Sequence, residues 1–226
     1  MANNGNKTTH FAHQDIKQME TRQRARLINS VSGFKSANMI GTCDNNGQTN
    51  LAIVSSVMHL GSDPALLGFI MRPHQVARHT LENILATQYY SINAVTADLV
   101  APAHQTSARF DKAQSEFELE GINEIYLDGF HAPFVAQSPI KIGLKLVEKI
   151  TINSNQTQLI VGEIELLHVP SQALQTDGYL DLESLQIATV SGLDSYHTSD
   201  RICRLSYAKP GAAIVKLGLD GSKLTV

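Results

Sequence analysis

Short apolar runs separated by turn residues dominate this chain, a pattern of strands more than of long helices. Residues 37–43 and 50–58 are two such runs, joined by Asp44-Asn45-Asn46-Gly47, where Asn-Gly supplies the positive φ angles of a tight hairpin. After a Ser62-Asp63-Pro64 turn, residues 65–71 are continuously apolar and short enough for a buried strand. Thr80 opens a short helix that runs to Thr87, and residues 89–95 return as a strand rich in aromatic and β-branched side chains. Further on, residues 141–151, 158–169 and 202–207 read as strands. The middle one sets Leu159, Val161, Glu163 and Glu165 on one side against Ile160, Gly162, Ile164 and Leu166 on the other. Asp177-Gly178 and Asp220-Gly221 mark turns. Residues 16–29 predict one weakly amphipathic helix, and residues 97–117 are helical but irregular. Six to seven strands with mostly short turns imply a mainly β fold: a closed or nearly closed antiparallel barrel with peripheral helices, not a doubly wound sheet.

Length and charge narrow the picture. A chain of 226 residues with 42% hydrophobic content can bury one large core. The expected organisation is a polar tail at residues 1–14, disordered or loosely draped, followed by a single domain at 15–226. With a net charge of −3 and no basic run, the chain offers no electrostatic footprint for nucleic acid or an acidic membrane surface. Its polar start lacks the apolar stretch of a secretory signal, and no run reaches the roughly 18 apolar residues of a membrane span, so a cytoplasmic location is expected. The two cysteines, Cys43 and Cys203, each lie in an apolar stretch and read as buried reduced thiols.

Nine histidines invite a metal, but only His10 and His13 are close in sequence, and they stand in the polar tail without a thiol nearby. No metal site is expected. GxSxG, P-loop and GxGxxG motifs are absent, which removes the usual signals for a serine nucleophile, NTP hydrolysis and Rossmann dinucleotide binding. What remains is an anion pocket in residues 68–93. A strand, an Arg-Pro turn, a short basic loop and a helix with Thr80 as its expected N-cap place the helix's positive end beside Arg72 and Arg78.

That segment resembles the signature of the flavin reductase-like, FMN-binding split-barrel family: a basic residue, then Thr, then Asn-Ile, here Arg78, Thr80, Asn83 and Ile84. Other segments are similar to the family in order and spacing, over about Gly33 to Tyr207: the strand NLAIVSSV at 50–57 after its Gly-containing hairpin, Ala132-Pro133-Phe134-Val135 through Gln137-Ser138-Pro139, and Gly192-Leu193-Asp194-Ser195-Tyr196-His197. His79 stands where the family often has Asp, and AHQTSARF at 103–110 marks a subgroup, in which His104, Thr106, Ser107 and Arg109 either select a second substrate or form a capped surface helix.

The resemblance implies a Greek-key split β-barrel that binds a flavin, and the single phosphate site of the anion pocket favours FMN over FAD. Ser55 and Ser56 would meet the flavin's ring and ribityl edge, with Arg78, Thr80 and Asn83 at its phosphate, where the charge of Arg72 in the anion pocket also favours a negative group. It further implies a homodimer, with Tyr196 and His197 reaching the partner's cofactor. The implied activity is hydride transfer from NAD(P)H, a transient donor, to the flavin, with no catalytic side chain beyond the cofactor. An FMN-binding electron carrier, or a small-molecule oxidoreductase with another donor, is the alternative, since fold alone does not settle function.

Overall fold

The computed structural model describes residues 8–73 and 77–224. Residues 1–7 of the expected tail and residues 74–76 of the basic loop lie outside the described residues. Seven antiparallel strands make the main sheet: β1 (Asn38–Cys43), β2 (Thr49–Val54), β3 (Met58–Ser62), β4 (Ala65–Met71), β5 (Tyr89–Ala94), β6 (Lys141–Ile152) and β7 (Thr157–His168). Their spatial order is β2-β1-β5-β6-β7-β4-β3. The two end strands, β2 and β3, are consecutive in the chain, so the sheet curls back towards itself but is not closed by a ladder between them. This is a split β-barrel, mainly β, as the turn-separated apolar runs predict.

Helices α1 (His13–Gln18), α2 (Thr21–Val31), α3 (His79–Thr87), α4 (Val100–Gln105) and α5 (Glu116–Leu119) lie around the sheet. A small sheet of residues Lys35–Ser36, Thr189–Ser191 and Ser195–His197 packs beside them.

Strand β1 is buried at every position, so both of its faces are covered. Ile40 points into the barrel with Phe69, Tyr90, Ile92, Leu144 and Ile160, and α3 adds Leu81 and Ile84 to that core. Met39, on the opposite face, belongs to a second core with Leu51, Leu99, Phe117, Val135 and Val190. Each such fully buried aliphatic or aromatic side chain contributes about 1.5 to 3 kcal/mol relative to exposure. The sheet is therefore a wall shared by two cores, and β2, at its edge, is held from the second one.

Four expectations need correction. The predicted strand at 50–58 is two strands, because the chain bends at Ser55: the Ser56 hydroxyl takes the Ile70 amide at 3.0 Å and approaches the Ile70 carbonyl at 3.3 Å, and Met58 begins a new strand on β4. The predicted helix at 16–29 is broken at Met19-Glu20, where Glu20 accepts the Gln23 amide at 2.9 Å and starts α2; neither helix buries a residue. Residues 202–207 contain only a two-residue strand, Arg204–Leu205, paired with Lys216–Leu217. Ile202 is 98% exposed, so that apolar run is no core strand, and Cys203 beside it is exposed while Cys43 is buried as expected.

The first hairpin keeps its turn. Gly47 sits at φ +85° and donates its amide to the Asp44 carbonyl at 3.0 Å, while the Asp44 carboxylate accepts the Asn46 and Gln48 amides. A Cβ at Gly47 would meet nothing within 4 Å, so only the backbone conformation objects to a side chain. Gly47→Val is expected to lower stability by more than about 1 kcal/mol, read as an earlier thermal or denaturant midpoint, through strain at positive φ. An unchanged midpoint would show that the turn does not need this glycine.

Candidate functional site

Helix α3 is fixed to the sheet by polar ties that the sequence pattern does not announce. Asn50 on β2 donates to the Thr80 hydroxyl at 3.0 Å, and Asn83 donates to the Thr42 hydroxyl on β1 at 3.2 Å; Thr80 and Asn83 are both buried. Thr80 is thus not the N-cap. Arg78 occupies that position, without a side-chain cap, and its amide is taken by Glu82 at 3.2 Å. The side chains of Thr80 and Asn83 lock the helix in place, while the first amides of α3, which have no acceptor within the helix, and its positive end face outward from that anchor.

Strand β2 is a sheet edge, and every second amide of an edge strand points away from the ladder. Here those amides are met by side chains. The Leu51 amide donates to Glu116 Oε2 at 2.8 Å, and the Ile53 amide to the Thr106 hydroxyl at 2.9 Å, which in turn donates to the Ala103 carbonyl at 2.7 Å. Thr49 and Ser115 share a further hydrogen bond of 2.7 Å. Continuing the alternation, the next outward amide is that of Ser55, which has no hydrogen-bond partner among the described residues. The Ser56 hydroxyl is already committed to Ile70. Of the two serines, Ser55 retains both a backbone and a side-chain donor.

Three arginines gather around this edge, each placed by one of the ties just described. Arg72 follows Met71 at the end of β4, beside the Ile70 backbone that holds Ser56; Arg78 stands two residues before Thr80, which holds Asn50; Arg109 stands three residues after Thr106, which holds Ile53. Among the described residues none of the three forms an ion pair. Burial, and then the charges of Arg72 and Arg109, lower the pKa of Arg78 from its ordinary value. Its Nε is buried and has no hydrogen-bond partner. An orphaned guanidinium nitrogen at a helix start, with two further unpaired cations nearby, is a place that an anion stabilises.

Tyr196 and His197 do not join this cluster directly. Tyr196 is packed against the second core alongside Ile53 and Val100, and its hydroxyl lies 2.9 Å from Nδ1 of His104, with the two rings edge to face at 5.7 Å. Burial, then Asp194, raises the pKa of its phenol. His197 turns the other way, with Nε2 at 2.9 Å from the Ser191 hydroxyl and its ring 4.9 Å from that of Phe34. Gln137 of the Ser-Pro stretch lines an open cleft of about 480 Å³ with Thr96–Asp98 and Leu185–Gln186.

Sequence alone marks neither the reach of Glu116 nor the bond by which Thr106, buried and not on a surface helix, takes the Ile53 amide. Ser115-Glu116-Phe117 reads as a simple turn, and nothing local shows that its carboxylate reaches a strand 65 residues earlier. Glu116 is 5% exposed, and burial raises its pKa above the ordinary 4.5, opposed by the Leu51 amide and the charge of His79. A folded pKa above the unfolded one means that the protonated form is favoured in the fold. Stability from this group is complete below pH 4.5 and is lost as the pH rises through the raised value. Glu116→Gln keeps an acceptor for Leu51 and removes the titration. The stability of the wild type is expected to fall relative to Glu116→Gln as the pH is raised from 4 to 8, measured by denaturant unfolding; parallel profiles would deny the coupling.

Residues 31–184 match the family described as flavin reductase like domain. A split-barrel protein from Shewanella frigidimarina NCIMB 400, described as a flavin reductase, is 51% identical over 89% of this chain and 100% of its own, with a TM-score of 0.86. Nitrilotriacetate monooxygenase component B from Bacillus cereus shares the fold at 18% identity and a TM-score of 0.77, covering 88% of this chain and 100% of its own. An FMN-binding protein from Thermus thermophilus does so at 16% identity and 0.60, over 73% and 86%. With the matched region spanning β1 to β7 and holding the α3 anchor, the edge strand and all three arginines, this chain belongs to the flavin reductase-like family.

Proposed function

We propose that this protein binds FMN and acts as an NAD(P)H:flavin oxidoreductase. The observation that carries this reading is the arginine cluster at the start of α3, in which Arg78 holds a buried Nε without a partner and neither Arg72 nor Arg109 is paired among the described residues. A phosphate monoester, with about −1.5 to −2 charge at neutral pH, supplies the missing acceptors. The gathering of donors around one helix start supports a monophosphate flavin over FAD. The Ser55 amide, left over at the edge of β2, supports a contact to the electron-rich edge of the ring system, where fixed donors tune a flavin.

When bound, the flavin supplies the redox chemistry, accepting a hydride from a reduced nicotinamide. The chain's own part is to bind and orient: Arg78 for the phosphate, Thr80 and Asn83 to hold the helix that carries it, and Ser55 for the ring. No side chain is needed as acid or base. The alternative, an electron carrier with the same cofactor, shares every one of these contacts and differs only in turnover.

We also read the protein as a cytoplasmic homodimer. No helix among the described residues is long and apolar enough to cross a membrane. Neither α1 nor α2 buries a residue in the single chain, yet Ile28, Val31 and Phe34 are exposed there, at 46%, 69% and 69%, which supports a second copy covering this face. The ties of Tyr196 to His104, and of the same helical turn to Ile53, favour Tyr196 serving the flavin of its own chain.

Absorbance of the purified protein in the flavin bands tests binding, and consumption of NADH or NADPH with added FMN separates the reductase from the carrier. Arg78→Ala is expected to weaken FMN by about 1.5 to 3 kcal/mol while leaving riboflavin nearly unchanged, read by fluorescence titration. Equal losses for both ligands would move the phosphate elsewhere. Mixing Arg78→Ala with Tyr196→Ala tests the sharing of sites. With both residues in one chain's pocket, verified heterodimers should show no flavin binding or turnover above the parents, whereas recovery would place Tyr196 across the interface.

A further inference from the structure

The segment after His197 is fixed in place but buries nothing. Residues Arg204–Leu205 pair with Lys216–Leu217, and the Ser206 amide extends this hairpin by donating to the Val215 carbonyl at 2.9 Å. Its base is held by Arg201, which pairs with Asp181 and Glu183, and by Arg204, which pairs with Asp177 at 2.6 Å and lies 4.2 Å over the Tyr179 ring. Yet no residue from 198 to 224 is buried. Ile202 is 98% exposed, Tyr207 87% and Ile214 60%, the last two flanking the loop at the hairpin's tip.

Such a hairpin lacks what would hold its tip. Ordering a residue costs more free energy than a surface ion pair returns, and a two-stranded hairpin is marginal in water unless its apolar side packs on something. The ion pairs at the base aim the hairpin but supply none of that burial. Helix α2 has the same deficit: its 11 residues bury none, with Ile28 and Val31 exposed, and a helix this short is marginal in water without packing.

The two uncovered surfaces adjoin. The hairpin leaves from the strand Ser195–His197, and the His197 ring lies 4.9 Å from that of Phe34, three residues past the end of α2. Lys35 ties the same two segments together, donating to the Asn29 carbonyl at 2.6 Å and to the Gly192 carbonyl at 3.2 Å. Within one chain neither surface covers the other, because Arg201 and Arg204 hold the hairpin to Asp177, Asp181 and Glu183 instead. A two-fold axis resolves this, since each hairpin then meets the other copy's α2 and the same contact is made twice. Together the hairpin and α2 offer roughly the 20 to 30 residues a side that a stable interface uses.

We propose that the hairpin Arg204–Leu217 docks on α2 of a second copy of this chain, setting Tyr207 and Ile214 against Ile28, Val31 and Phe34. This inference rests on the homodimer read above and goes beyond it by naming the contact, one side of which lies past residue 184, where the family match ends.

The test uses the full chain as wild type, as the double variant Tyr207→Asp with Ile214→Asp, and as Val31→Asp, with molar mass measured by light scattering over a range of concentrations. All three replaced side chains are exposed in the single chain, so the far-ultraviolet spectra are expected to match. The wild type is expected to be a dimer, and each variant to weaken self-association by about tenfold or more. A second measurement does not depend on the aspartate variants folding. On a Cys203→Ser background, which leaves only the buried Cys43, chains with Val31→Cys are mixed with chains carrying Tyr207→Cys and treated with a short bifunctional maleimide. A cross-linked heterodimer in the mixture, well above either chain alone, is expected. An unchanged dimer in either aspartate variant, or a mixture that cross-links no better than its parents, overturns this inference and leaves the homodimer standing. A monomeric wild type overturns the homodimer reading, and this inference with it.

Discussion

Strand Thr49–Val54 is the edge of a curled sheet, and its outward amides have no strand to bond with. A buried unsatisfied amide costs about 1 to 3 kcal/mol, so such an edge must be covered or left to water. Here it is covered one amide at a time: Glu116 takes Leu51 and Thr106 takes Ile53. The remaining structure is arranged around that solution. Helix α5 must come close enough for Glu116 to reach, α4 must end where Thr106 can turn back, and the second core of Met39, Leu51, Leu99 and Phe117 fills the space between them. The covering stops at Ile53, two residues before Ser55, where the chain bends away to begin the next strand. The split in the barrel is therefore where the edge amides stop being covered, and it exists because side chains, not a neighbouring strand, finish the edge.

The same edge places the charges. Arg72, Arg78 and Arg109 come from three separate segments, and each is brought to β2 by a hydrogen bond made a few residues away, through Ile70, Thr80 and Thr106 respectively. Burial of Arg78, and then the charges of Arg72 and Arg109, lower its pKa, so holding these unpaired guanidinium groups here costs free energy. Buried polar ties such as Asn50 to Thr80 and Asn83 to Thr42 hold the repelling groups in place without neutralising them. A bound anion then offsets both the mutual repulsion and the unmet hydrogen-bonding capacity of Arg78.

Much of the β-barrel is legible from the chain alone, because the features that specify it are local. The Asn-Gly turn sets the first hairpin, with Gly47 at positive φ. The alternation around Ile160 and Ile164 sets which face of β7 turns inward, and the continuous apolar run of β4 reflects a strand with interior positions at Phe69 and Met71. The Arg78, Thr80 and Asn83 spacing marks the start of α3, and the series of family-like segments gives the family.

Other features depend on contacts between distant residues, and local pattern misreads them. Residues 50–58 look like one strand because nothing in their composition shows that Ser56 will bond to Ile70 and bend the chain. Thr80 looks like a helix cap because capping is the commonest use of a Thr before an apolar turn; only the position of Asn50 on β2 turns it into a buried anchor, two residues inside the helix. Residues 202–207 are apolar enough for a core strand but find no core to join. Glu116 is one carboxylate among many until the fold sets it under Leu51. Periodicity and turn chemistry act within a few residues and so are written in the sequence, whereas the identity of a hydrogen-bond partner across 65 or 92 residues is decided by how the two cores pack, which is where Glu116 and the His104–Tyr196 pair acquire their roles.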